Sequence, residues 1–154
     1  MSQRSKSAFV NRKAKLLDQA SLLNFAKICG SAQVSDHACV QNRAKVRANA
    51  SVSGHAIITG MACIDHHSRV YGNAIVKGCS QVIHRAHVYG DAVLLDRVCV
   101  MGKAHIRGQV SLGSHEASVS ISGMSILEGD VNLTCCCRGI YAGYPSSKKQ
   151  GAGW

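Results

Sequence analysis

Eight histidines and eight cysteines supply most of the groups in this 154-residue chain that could do acid–base, nucleophilic or metal chemistry. Six of the histidines fall into pairs eighteen residues apart: His37 with His55, His66 with His84, and His87 with His105. The other two are His67, next to His66, and His115, next to Glu116. An imidazole titrates near neutral pH, so each is chemically able to act as a general base, and two held one strand spacing apart can share a proton or a ligand. His66 and His84 are the most concentrated pair, with His67 and Arg85 beside them. A plain structural reading stands next to this one, because His is tolerated at tight corners and a repeat stacks like on like automatically. The cysteines sit irregularly at Cys29, Cys39, Cys63, Cys79, Cys99 and the run Cys135, Cys136, Cys137. They form no secreted disulfide framework, and three adjacent residues of an extended strand cannot all face one ion, so no metal is expected.

What must position these groups is a six-residue unit that runs through residues 8–112 without an insertion. Every sixth residue from Ala8 is small or slim: Ala14, Ala20, Ala26 and so on to Ala62, Ser68, Ala74, Ser80, Ala86, Ala92, Val98, Ala104 and Val110. Two residues after each comes an aliphatic, from Val10, Leu16 and Leu22 through to Val100, Ile106 and Leu112. Two residues further on the slot holds mostly Gly, Asn, Asp or His, the types that accept positive φ, which marks a tight corner. The unit therefore reads strand, corner, strand, corner. A helix would scatter these aliphatics around its circumference and meet a helix-breaking glycine at every second corner. One unit buries only two of its six residues, so neighbours must stack into a continuous core, which predicts a parallel β-solenoid.

The unbroken register implies one domain, and the scarcity of aromatics suits a narrow core of Val, Ile and Ala. Roughly six coils at about 4.8 Å each give a prism about 28 Å tall. Residues 1–7 read as a basic arm without the apolar run of a signal peptide, and no stretch is apolar enough to span a membrane, so the expectation is a cytoplasmic protein without membrane contact. The net charge of +10 is concentrated at the start, where residues 1–50 hold nine basic and two acidic groups. Stacking puts Lys27 above Lys45 with Arg47 near, a patch able to attract phosphates. Without interleaved aromatics, nucleic acid is not the expected partner, and the same lysines serve to protect an open strand edge.

The stretches Ala74-Ile75-Val76-Lys77-Gly78 and Ala86-His87-Val88-Tyr89-Gly90-Asp91-Ala92 resemble the hexapeptide-repeat left-handed β-helix family, and most of all its YdcK-type branch, labelled acyltransferases. The resemblance covers about 105 residues. It implies an all-β, left-handed triangular solenoid with three six-residue sides per coil, since handedness does not follow from the period. It also implies acyl-CoA as co-substrate, lying in a groove between prisms, and one His acting as general base toward a small-molecule acceptor. That His often comes from a loop, which here means His115 beside Glu116; the alternative bases are His66 and His84. In this chain the glycine usually follows the aliphatic one residue later than in the commoner motif, so the fold carries over more firmly than any enzyme subfamily. The γ-class carbonic anhydrases share the family, but no histidine pair here has their spacing.

After Leu112 the aliphatics Val119, Ile126, Leu133 and Ile140 fall seven apart, with Val110, Ala117, Met124 and Val131 in the small slot. This predicts a wider coil in which each corner gains one residue, carrying the solenoid over residues 8–134. Residues 135–154 show no period and read as an irregular tail, without the closing helix that the resemblance leads one to expect. Outward positions form two notable columns. Cys39, Ile57, Ile75 and Val93 make an apolar stripe, which predicts a homo-oligomer through that side. Tyr71 stacks above Tyr89 beside Arg69, His87 and His105. Two functions are therefore carried forward: an acyl-CoA-dependent transferase, and a noncatalytic β-solenoid used for assembly or binding.

Overall fold

Where a small residue, a polar residue and an aliphatic alternate, two side chains point inward and the one between them points out, so each repeat needs only a two-residue strand. The computed structural model, which describes residues 1–113, 118–134 and 141–142, is built from such strands. Ile57–Ile58 lies on the first face, Cys63–Ile64 on the third and Arg69–Val70 on the second, and the next strand, Ile75–Val76, returns to the first. It pairs in parallel with Ile57–Ile58 at a register of Ile57 to Ile75, one turn of eighteen residues. The same offset stacks Cys39–Val40 and Val93–Leu94 on the first face, Ser51–Val52 and His87–Val88 on the second, and Lys45–Val46 and Gln81–Val82 on the third. The protein is thus an all-β parallel solenoid of about seven turns, with a turn length that fits a triangular coil. No described helix is long and apolar enough to cross a membrane.

The small and aliphatic slots meet on the axis. Ala56, Ile58, Ala62, Ile64, Ser68 and Val70, one full turn, have no solvent exposure. Ser68 replaces the usual alanine without leaving a buried orphan, because its hydroxyl donates to the carbonyl oxygens of Asp65 at 2.6 Å and Val82 at 3.0 Å. The backbone bonds run between coils at strands and corners alike. Ile57 N–H donates to Ala74 O at 2.9 Å, and at the preceding corner His55 N–H donates to Gly72 O at 2.8 Å.

Every sixth residue from Asp18 to Gly108 has positive φ, including His66 at 60°, His84 at 65° and Ala48 at 54°. Asn, Asp and His are the side chains that tolerate this region best. Ala48 is the exception, held there by the turns above and below.

Two expectations change. Residues 1–7 are not wholly an arm, because Gln3–Arg4 pairs in parallel with Ser21–Leu22 and adds a rung to the first face. The wide coil does not gain one residue per corner. Val98 pairs with Val119 and His105 with Ile126, an offset of twenty-one, whereas Leu94 still pairs with Leu112 at eighteen. All three extra residues therefore fall between Leu112 and Val119, after which the six-residue register resumes. Ser125 and Leu127 take the inward slots, and Met124 and Ile126 are turned out to solvent, 66% and 53% exposed. In a regular repeat a single insertion at one corner and three insertions of one give the same sum, and the aliphatic Ile126 favoured the wrong split.

Corner crowding gives a direct test. Gly78 and Gly123 share nearly the same φ, 75° and 76°, but a Cβ on Gly78 would lie 2.6 Å from the Asp96 carbonyl oxygen, whereas one on Gly123 would meet nothing within 4 Å. Gly123→Ala should cost only the left-handed penalty of about 1–2 kcal/mol. Gly78→Ala should cost clearly more, and thermal melts of the two variants side by side check the order.

Candidate functional site

The eighteen-residue turn brings together what the sequence spreads out. Its clearest product lies on the second face and the corner leading into it, where three successive turns present His67, Arg69 and Tyr71, then Arg85, His87 and Tyr89, then Lys103, His105 and Arg107. Backbone pairing sets the vertical alignment, with Arg69 opposite His87 and His87 opposite His105. The Tyr71 and Tyr89 rings stack at 4.7 Å and are almost parallel, and His87 stacks on His105 at 4.8 Å. Tyr89 also meets His105 edge to face at 6.5 Å.

Between these side chains an open groove of about 380 Å³ is lined by His67, Arg69, Arg85 and His87. Its volume lies at the small end of ligand-sized sites. The charges at the margins are already matched. Arg107 pairs with Glu128 at the top, and Arg47 pairs with Asp65 at 2.5 Å on the neighbouring face. Among the described residues no carboxylate pairs with Arg69 or Arg85. Burial, then His105 and Arg69, hold the His87 imidazole below its ordinary pKa. The Tyr71 hydroxyl is pushed up by burial and by Tyr89, against an opposing pull from Arg69.

His66 and His84 stack as expected, with ring centroids 5.0 Å apart, and they do so at the corner. His66 is half exposed, and its Nδ1 lies 3.8 Å from an oxygen of Asp65, too far for a hydrogen bond. Asp65 instead accepts from the His66 backbone N–H at 2.7 Å and from Arg47. The pair is brought together, but without the bound carboxylate that orients a catalytic imidazole. His37 and His55 form the third stack, at 4.8 Å. His115 lies outside the described residues. Among the described residues no group of three His, Cys, Asp or Glu side chains could hold a metal ion.

The apolar stripe is present. Cys39, Ile57, Ile75 and Val93 are consecutive rungs of the first face, Ile57 being 36% exposed and the others half-buried by their ladder neighbours. Burial raises the Cys39 thiol pKa, so this group is a weak nucleophile that behaves as a small hydrophobe. Lys27 stacks over Lys45, as the charge reading required.

Sequence reasoning named His67, Arg69, Arg85, His87 and His105 but divided them between two columns and did not include Lys103 or Arg107. Writing the outward positions of three turns beneath one another, offset by eighteen, would have shown the whole grid. No known family model and no curated protein matches this chain. The class rests on the fold: a hexapeptide-repeat-like parallel β-solenoid.

The depressed His87 fixes a sign. Its folded pKa lies below the unfolded value, so between the two the unfolded chain binds the extra proton and stability falls as pH drops through that window, reaching its full loss below the folded pKa. Melting temperatures measured at closely spaced pH values from neutrality downward should fall. His87→Gln should flatten that part of the profile, provided Arg69, Arg85 and His105, which face it, are left in place.

Proposed function

We propose that the chain is a noncatalytic β-solenoid scaffold that assembles with a second copy of itself through the first face. The observation that supports this most is the order of side chains along that face: Ser21, Cys39, Ile57, Ile75, Val93, Ser111. The column reads nearly the same in both directions, small polar at each end and aliphatic in the middle. A two-fold axis along the strands would therefore set Ile57 against Ile75, Cys39 against Val93 and Ser21 against Ser111 of the second copy. Such self-complementarity is what an isologous interface needs. The six named rungs, out of eight on this face, at about 4.8 Å each and by four residues of about 3.3 Å, make a patch of roughly 29 by 13 Å, a few hundred Å². That is well short of the ~800 Å² per partner of a standard interface, so the expected dimer is weak and concentration-dependent.

Sedimentation velocity over a concentration series should show a monomer–dimer exchange for the natural chain and only monomer for Ile75→Glu, which would bury a carboxylate without a partner. Equal association of both would count against the reading.

A second reading is favoured by one observation, the change of register between Leu112 and Val119. The coil-to-coil offset grows from eighteen residues at Leu112 to twenty-one at Val119, across the stretch of sequence that contains His115 and Glu116. In the hexapeptide-repeat acyltransferases that this chain resembles, a loop histidine removes the acceptor's proton as it attacks the acyl-CoA thioester, and free CoA leaves as thiol. His66 and His84 are the other bases available to that reaction. Titration calorimetry with acetyl-CoA at moderate salt separates the two functions. Saturable binding followed by thiol release that His115→Ala abolishes would establish the transferase, and no heat at millimolar acetyl-CoA would leave the scaffold.

A further inference from the structure

We propose that the groove bounded by His67, Arg69, Arg85 and His87 is a binding site for a phosphate monoester, with Tyr71 receiving a planar group attached to that phosphate. The arrangement of the four side chains is the first ground. They occupy the corners of a two-by-two grid in which the guanidinium groups lie on one diagonal and the imidazoles on the other, so no cation stacks directly on another of its own kind. A plain repeat would have stacked arginine on arginine, as Lys27 stacks on Lys45 elsewhere. The alternation keeps two strong cations about one diagonal apart, with hydrogen-bonding rings between them. A tetrahedral oxyanion seated at the centre can accept from all four.

Charge is the second ground. Each cation beside the groove that has an acidic neighbour is already paired with it, Arg47 with Asp65 and Arg107 with Glu128. Arg69 and Arg85 are left facing the opening, with Lys103 one turn above Arg85. Planar, multidentate donors of this type suit phosphate oxygens better than ammonium groups do. None of the nine residues named in these three columns is acidic.

The third ground is the shape of the neighbouring column. Below Tyr71 the rungs hold Ser53 and then Ser35, while Tyr89 covers only its upper ring face. The stack thus ends in an aromatic face above a step left by short side chains. A planar ring tethered to the phosphate extends the ladder by one rung. The site does not depend on self-association, since it lies on a different face from the apolar stripe, and it requires no acyl transfer.

Calorimetric titration of the whole chain at low salt with inorganic phosphate, phenyl phosphate and a nucleoside monophosphate tests this. All three should saturate with one site per chain, the two aromatic esters at least three-fold tighter than inorganic phosphate. Arg69→Gln combined with Arg85→Gln should weaken each ligand ten-fold or more. Tyr71→Ser should abolish only the advantage of the aromatic esters. Lys27→Gln with Lys45→Gln, on another face, should leave binding unchanged. Absence of saturable binding, or an equal loss from the Lys27 and Lys45 pair, would overturn the site. Equal affinity for the three ligands in the natural chain would overturn the role of Tyr71. Circular dichroism and melts of each variant separate lost binding from lost fold, which these exposed positions should not disturb.

Discussion

The structure depends on one repeated contact, the hydrogen bond from alternate backbone N–H groups to carbonyls in the next coil. In sheets with hairpins, corners escape the ladder and solvent satisfies them. Here the corners are inside it: the N–H groups of His55, Met61 and His67 donate to Gly72, Gly78 and His84, each at 2.8 Å, as regularly as the strands do. A corner can be part of the ladder only if the coil above turns at the same place. This forces a constant turn of eighteen residues and a positive φ at every turning point. It also brings backbones so close that a Cβ on Gly78 would collide with Asp96 of the next coil. The small slot has the same origin, since three faces converge on a narrow axis with room for one aliphatic and one slim side chain per repeat.

That constraint explains why so much was legible in the sequence. Period, inward slots and corner slots all follow from one number, so the fold, the core, the three histidine stacks and the tyrosine stack could be read by counting. Legibility failed where counting became degenerate. Between Leu112 and Val119 the total inserted length was readable but its placement was not, because Ile126 satisfied a seven-residue spacing while in fact facing solvent. The arm at residues 1–7 failed differently. Gln3–Arg4 brings no aliphatic to the core and joins the stack through backbone bonds alone, which leave no mark on side-chain type. The groove was missed for a third reason: its four residues alternate in type along each column, and a search for like-on-like ladders passes over them.

Stacking at a fixed interval amplifies whatever the outward positions hold. A repeated apolar residue becomes a stripe, a repeated ring becomes a stack, and a repeated charge becomes a column of repulsion spaced at about 4.8 Å. The chain manages the last case in two ways. At the polar corners it interleaves partners, as where the Asn73 amide donates to Asp91 at 2.8 Å and where Arg47 reaches Asp65 one turn on. In the groove of the second face it sets arginine against histidine, Arg69 beneath His87 and His67 beneath Arg85. Interleaving with acids neutralises a surface, whereas placing imidazoles between guanidinium groups preserves its charge while reducing the contact between cations.

Corner geometry sets two of the histidines apart from the others. His66 and His84 sit where a positive φ is required, a slot that Asp96 and Gly102 occupy in nearby turns. His67, His87 and His105 sit at positions with no such requirement. Serine, asparagine and glutamine serve there in the earlier turns, at Ser51, Asn49 and Gln33. The change from small polar residues to imidazoles, guanidinium groups and tyrosines occurs on the same three turns in all three columns of the face. Neither packing nor corner geometry asks for it, because the inward residues of those turns, Val70, Val88 and Ile106, are the same kind as in every other. A change in outward chemistry over an unchanged core is the mark of a surface specified for contact with something other than the chain itself.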